Sequence, residues 1–248
     1  MSISPKVFLI TGAARRVGAE IAETLHKNGF NVVLHYHHSK EEARHLCAAL
    51  NDRRKNSAVR LQADLSHIKQ MDKLINQAVD AWGYLDGLVN NASQFYKTLS
   101  GKSTEKSWDD LLDTNLKSPF FLSQAAAKYL KERRGCIVNI GDVHGERPMR
   151  DYGVYCISKA GLLMLTKVLA KELAPEIRVN TVSPGSVMLP EGENTLTKSQ
   201  QEAILNRVAL KRNGTAGDIA KAVLYLAADA DYVTGTVLTV DGGRSLSI

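Results

Sequence analysis

Short β-branched runs alternate with helical patterns along this chain, and that alternation limits its folds more than any single residue does. Extended segments are expected at Val7 to Thr11, Asn31 to Tyr36, Val59 to Ala63, Leu85 to Asn90, Cys136 to Ile140, Arg178 to Ser183 and Val237 to Val240. Helical patterns fall between them at Gly18 to Asn28, Lys40 to Leu50, Ile68 to Trp82, Thr104 to Lys131 and around Tyr155, with a further short helix at Lys198 to Val208. Such an order builds a parallel sheet with helices on both faces. The near-continuous apolar strands suit a sheet covered on both sides. No linker or repeat divides the 248 residues, so one α/β domain is expected over 1–248. Ligands of such sheets sit beyond the carboxyl ends of the strands, near the point where strand order reverses. The loops that begin at Thr11, Asn90, Ile140 and Ser183 should therefore meet in one cleft.

The first of these loops reads Thr11-Gly12-Ala13-Ala14-Arg15-Arg16-Val17-Gly18, between a strand and a helix. Gly12 allows a tight turn, the alanines let backbone approach a pyrophosphate, Gly18 allows close packing, and the helix start supplies N–H donors. Arg15 and Arg16 add two fixed cations for a highly charged ligand. The second strand ends Tyr36-His37-His38-Ser39-Lys40 with no acid before Glu41. A carboxylate there would bond a ribose hydroxyl, whereas cations and hydroxyls accept a 2′-phosphate, so NADPH is the expected cofactor. His37, His38, Ser39 and Arg15 form the expected clamp. Asp64, followed by Leu65, suits an acceptor for the adenine amino group; a helix N-cap at Asp64 or Ser66 is the alternative.

Tyr155 and Lys159 stand one helical turn apart and so share a face. A phenol with a pKa of about 10 is a poor proton donor at neutral pH, and a neighbouring ammonium lowers that value. The pair is expected to work as a proton-transfer device.

Cys47, Cys136 and Cys156 are widely spaced, which argues against a disulfide framework or zinc site, and no metal is expected. Cys156 is either a reactive thiol or a small buried or half-buried residue. The net charge of +6 is scattered among 26 acids, which favours anionic small molecules over nucleic acid. The N-terminal residues lack signal-peptide features and no apolar run approaches a membrane span, so a soluble, cytoplasmic protein is expected.

With the glycine loop, Asn90-Asn91-Ala92, Asn115, Tyr155-x-x-x-Lys159, Pro184-Gly185 and Val240-Asp241-Gly242-Gly243, the chain resembles the short-chain dehydrogenase/reductase superfamily from end to end. The resemblance implies a Rossmann-like, doubly wound, seven-stranded sheet, a nicotinamide cofactor, and catalysis by Asn115, Tyr155 and Lys159. Asn115 would hold a water linking Lys159 to solvent, and Asn90 and Ala92 would lie by the ribose. Pro184, Gly185 and Ser186 would lie by the nicotinamide carboxamide. It also suggests a homotetramer built through the Thr104 to Lys131 and Tyr155 to Leu173 helices and the last strand.

Three positions depart from the superfamily pattern: Arg16 and Ser93 stand where Gly is usual, and Asp142 where a Ser precedes the Tyr by thirteen residues. Together with His35 to Ser39, Asn90 to Tyr96, Pro148 and Tyr152, these departures resemble pteridine reductases; His38 replaces that family's Arg. The resemblance implies that Phe95 stacks on a pterin and that Arg16 bridges cofactor phosphate and pterin. Ser93 would touch the phosphates or the pterin edge. Tyr155, coupled to Asp142, would protonate the ring nitrogen, while Lys159 anchors the ribose. The segment 186–197 reads as a lid, with Val187, Met188 and Leu189 deciding between pterin and folate. His144, Glu146 and Arg147 read as surface residues. Competing readings are a dihydromonapterin or dihydrofolate reductase, a 3-oxoacyl thioester reductase, and an NADPH-sensing regulator without turnover.

Overall fold

The computed structural model describes residues 4–187 and 197–247, so Met188, Leu189 and most of the expected lid lie outside the described residues. Seven strands form one parallel sheet: β1 (Val7–Ile10), β2 (Asn31–Tyr36), β3 (Ala58–Gln62), β4 (Gly87–Asn90), β5 (Cys136–Ile140), β6 (Arg178–Pro184) and β7 (Val237–Val240), in the order β3-β2-β1-β4-β5-β6-β7. Adjacent β1 residues serve opposite faces, because side chains alternate along a strand. Phe8 and Ile10 join a core with α1 (Arg16–Lys27), α2 (Lys40–Arg53) and α8 (Ala216–Ala228). Val7 and Leu9 join the opposite core with α3 (Ile68–Asp80), α5 (Ser118–Glu132) and α6 (Gly153–Glu172). The order reverses between β1 and β4, which places the loops after Ile10 and Asn90 side by side at the switch point.

Three features differ from the sequence expectations. The 104–131 region is not one helix: α4 (Glu105–Leu112) runs into a π-helical turn at Asp113–Lys117 before α5 begins. Its continuous apolar pattern conceals a one-residue widening of the helix, a form that often marks functional sites. The helix α8 was not expected, although Thr215 and Asp218 form a capping box ahead of buried Ile219, Val223 and Leu226. Finally, α6 is long and apolar enough to cross a membrane by length and composition, contrary to the expectation. It is a core helix, with one face buried through Leu162, Leu169 and Ala170. The short helix expected at 198–208 is α7 (Lys198–Asn206).

Candidate active site

The glycine loop is held from three strands. Gly12 takes φ +63°, and Gly18 passes so close that a Cβ on it would lie 2.2 Å from the Gly12 carbonyl oxygen. Thr11 Oγ1 accepts the N–H groups of Asn91 (2.9 Å) and Ala92 (3.0 Å), while Asn91 Nδ2 donates to the carbonyls of Thr11 (2.8 Å) and Gly12 (3.2 Å). From β2, His35 Nδ1 accepts the Gly12 N–H at 3.1 Å, and its carbonyl accepts Ala13 N–H at 2.8 Å. A ring nitrogen that accepts from a backbone N–H carries no proton, so Nε2–H donates to the Ala63 carbonyl at 3.1 Å. Burial lowers the His35 pKa to about 4, so the imidazole is neutral at physiological pH. Neither Thr11, Asn91 nor His35 was singled out for this from the sequence. The doubled Asn90-Asn91 and the His on the last turn of an apolar strand were the available signals.

This loop opens onto a groove of about 440 Å³, lined by Gly12, Arg15, Arg16, Val17, Gly18, Tyr36, His37, His38, Ser39, Asp64, Leu65, Ala92 and Ser93. The expected cofactor residues from β1, β2, β3 and β4 thus converge. Arg15 is the N-cap of α1 without a side-chain cap bond, and no acid lies in the first turn. A helix start without a side-chain cap and with adjacent arginines favours an anion. Arg16 holds φ +54°, the left-handed conformation for which the usual glycine is suited. The groove therefore fits a nicotinamide dinucleotide.

At its outer end the His37 and His38 rings lie against each other at a tilt of 33°, with centroids 3.6 Å apart, and His37 Nε2 lies 3.9 Å from Asp64 Oδ2. Arg15 Nη1 turns to Glu42 at 3.8 Å, so the clamp includes an acid beyond the strand end. Asp64 is not an N-cap, and neither is Ser66; His67 holds that position without a side-chain bond. Asp64 Oδ1 instead accepts the Ser66 N–H (2.9 Å) and hydroxyl (2.8 Å). Burial works to raise its pKa, but these bonds outweigh it and keep the carboxylate below its usual range.

In the ribose and carboxamide region the side chains of Asn90 and Ser186 are engaged within the protein. Asn90 does not face the groove. It is buried, and its Nδ2 donates to Asn139 Oδ1 at 2.8 Å, because a residue at the end of a doubly covered strand points into the sheet's own packing. Ser186 spends its hydroxyl on Asn213 Oδ1 at 2.9 Å. Pro184 closes β6 opposite Val240, and Gly185 donates its N–H to the Val240 carbonyl at 3.1 Å.

At the reacting end, Tyr155 donates its hydroxyl to Asp142 Oδ2 at 2.7 Å. The other oxygen, Oδ1, accepts the His144 N–H at 2.8 Å and starts the 3-10 turn Val143–Gly145. The carboxylate is thereby oriented from both sides, and the capping role and the coupling to Tyr155 coexist. His144 is buried, not on the surface, with Nδ1–H donating to the Arg147 carbonyl at 2.8 Å. Burial and the Asp142 charge push Tyr155 well above the usual phenol range, the reverse of the expected depression. Lys159 lies 5.7 Å from the Tyr155 ring centroid and donates to the Ile140 carbonyl at 3.0 Å. Its own burial lowers its pKa to about 8, against the pull of Asp142. Burial and the carboxylate bonded to the hydroxyl therefore outweigh the lysine in setting the Tyr155 pKa.

Asn115 sits in the π turn with its side chain fully committed. Its Oδ1 accepts Gln94 N–H (2.8 Å) and Ser93 Oγ–H (3.0 Å), and its Nδ2 donates to the Gln94 carbonyl and Ser158 Oγ, both at 3.0 Å. It ties the β4 loop to α6. Phe95 is not a free-standing platform. It stacks on Tyr152 (4.7 Å, 14°) and meets Tyr155 edge-on (4.8 Å, 81°). Thr98 sets this pair by receiving the Val154 N–H and donating its own N–H to Asp151 O. Burial raises the Cys156 thiol, and its sulfur accepts the Met149 N–H at 3.3 Å, which fits a small buried residue. Val187 is buried at the end of the described β6 loop.

A Rossmann-like sheet, a dinucleotide groove at its switch point and an aligned Tyr155 and Lys159 define a nicotinamide-dependent oxidoreductase. The chain belongs to the short-chain dehydrogenase/reductase family: a family model described as Enoyl-(Acyl carrier protein) reductase matches residues 12–245. It is 38% identical to pteridine reductase 1 of Leishmania tarentolae, covering 100% of this chain and 99% of the relative. It is 36% identical to the 3-oxoacyl-(acyl-carrier-protein) reductase of Staphylococcus aureus strain Mu50 (96% and 97%) and 38% identical to that of Haemophilus influenzae (98% and 99%).

Proposed function

We propose that this enzyme reduces pterins with NADPH, taking a dihydropterin or biopterin to the tetrahydro form and accepting dihydrofolate as a related substrate. The observation that carries the reading is the 2.7 Å bond from Tyr155 to Asp142, a carboxylate where the superfamily pattern has a serine. A serine hydroxyl suits a carbonyl oxygen, which only accepts hydrogen bonds; a phenol and carboxylate suit a ring nitrogen that must be protonated.

The bound cofactor supplies hydride. His37, His38, Ser39 and Arg15 face its 2′-phosphate, which is the basis for NADPH, and Gly12, Val17 and Gly18 let the backbone reach the pyrophosphate. Asp64 and Leu65 flank the adenine, Ala92 the ribose, and Pro184 to Ser186 the carboxamide. Arg16 and Ser93 lie between phosphate and pterin. The Phe95 and Tyr152 pair forms the aromatic wall against which the flat ring lies, with Val187 beside it. Tyr155 gives its proton to the ring nitrogen, Asp142 orients that phenol, and Lys159 meets the phenolate charge as it develops. Asn115 holds the β4 loop on α6. The whole chain acts as one domain in the cytoplasm. It assembles as a homotetramer through α4, α5, α6 and β7, with Phe120, Ile157, Met164 and Val168 exposed on α5 and α6.

A 3-oxoacyl thioester substrate is the second reading, favoured by the comparable identity to the acyl-carrier-protein reductases. NADPH oxidation with dihydrobiopterin, biopterin, dihydrofolate and an acetoacetyl thioester separates the two. Pterin turnover that collapses in Asp142→Ser and Tyr155→Phe supports the first, and turnover of the thioester alone overturns it.

A further inference from the structure

The carboxyl edge of the sheet sets its loops in a line. His37 to Ser39 follow β2, Gly12 follows β1, Ala92 to Phe95 follow β4, Asp142 follows β5, Gly185 follows β6, and Asp241 to Arg244 follow β7. The dinucleotide groove occupies the β2, β1 and β4 end, and Tyr155 meets Asp142 at β5. A part of the substrate that leaves the reacting centre away from the cofactor therefore runs toward β7.

Arg244 stands at that end. Gly185 is pressed so closely on β7 that a Cβ there would lie 2.5 Å from Asp241 Cβ. The Asp241 carboxylate accepts the N–H groups of Gly243 (2.8 Å) and Ser245 (2.7 Å), which fixes the short 3-10 turn Arg244–Leu246. Neighbouring strands lie about 4.8 Å apart, so β7 is about 10 Å from β5, a span that an arginine side chain and one substrate group can bridge. Arg244 is half-buried; among the described residues its Nε is closed off from solvent without a hydrogen-bond partner. Burial lowers its pKa, and of the surrounding charges Asp142 acts on it ahead of Arg207 and Asp241. A guanidinium withdrawn from water with an unmet donor is costly unless a ligand oxygen completes it.

We infer that Arg244 recognises the substrate's tail, donating to a carboxylate or carbonyl oxygen on the substituent remote from the reacting ring. Pterins conjugated to an acidic tail are then favoured over those with a short neutral side chain. The inference rests on the pterin reading above. It requires a planar fork at this position, since guanidinium matches a carboxylate in a way that an ammonium does not.

The test is kcat and KM for dihydrofolate and dihydrobiopterin, at saturating NADPH, in the wild type, Arg244→Gln and Arg244→Lys. The expected result is a fall of about tenfold or more in the dihydrofolate to dihydrobiopterin ratio of kcat/KM in Arg244→Gln, carried by KM, with Arg244→Lys intermediate. If Arg244→Gln does not fold, a drop of about threefold in Arg244→Lys reads the same point. An unmoved ratio, or an equal loss of kcat on both substrates through Asp142, overturns the inference alone. A wild type that reduces neither pterin overturns the pterin reading and this inference with it.

Discussion

Tyr155 and Asp142 share a 2.7 Å hydrogen bond while Lys159, one turn further along α6, is held away on the Ile140 carbonyl. The phenol is thus kept protonated by its carboxylate partner and cannot rest as a phenolate. In the proposed mechanism the proton stays on Tyr155 until a substrate atom takes it, and the lysine matters at that moment.

Replacing Asp142 by Asn or Ser should lower kcat for a pterin by about a hundredfold or more, the usual size of a general acid contribution. Steady-state kinetics on dihydrobiopterin measures it. A loss below about threefold would assign Asp142 to the Val143–Gly145 turn alone.

Lys159 carries charge below about pH 8 and is neutral above it. If its ammonium meets the developing phenolate, kcat should decline on the alkaline side with a midpoint near that value. In Lys159→Arg the decline should move above the accessible range, because guanidinium does not deprotonate there. A pH profile with the same alkaline limb in both proteins contradicts this role.

His35 predicts an acid limb of stability. Its folded pKa of about 4 lies below the ordinary histidine value of 6.5. The unfolded chain therefore binds the proton first as pH falls, and stability is lost between those two values. The full difference corresponds to about 3 kcal/mol. Urea denaturation of the wild type and His35→Asn across pH 7 to 4 tests this; the variant should be less stable at pH 7 and show a shallower pH dependence.

Gly18→Ala puts a methyl 2.2 Å from the Gly12 carbonyl oxygen, where backbone would have to shift. A loss of about 1–3 kcal/mol in stability and a weakened NADPH affinity are expected. Thermal unfolding with and without NADPH reads both, and an unchanged cofactor affinity would mean that the loop does not carry the pyrophosphate.

Cofactor choice is tested at the β2 end. His38→Asp should lower the preference for NADPH over NADH by about tenfold, since a carboxylate repels a 2′-phosphate and accepts from a ribose hydroxyl. Comparison of kcat/KM for the two cofactors decides it; an unmoved ratio places the selecting groups elsewhere.

Much of the fold was legible because its information is local. The period of two in Val7 to Ile10 and the turn chemistry of Gly12 and Gly18 are written in neighbouring residues, and so is the four-residue spacing of Tyr155 and Lys159. These placed the loops around the groove, while the break in the 104–131 helix and α8, despite its capping box, went unseen. The sequence by itself thus determined the doubly wound sheet, the place of the dinucleotide groove and the setting of Tyr155 and Lys159 one turn apart on α6. Only the tertiary structure decided how those groups behave. Burial together with Asp142 raises Tyr155 and burial alone lowers Lys159; the π turn commits Asn115 to the β4 loop, Tyr152 covers Phe95, and His35 reaches the Gly12 N–H. Each of these depends on what packs against a residue from a distant part of the chain, and desolvation and charge coupling depend on that packing, not on spacing along the sequence.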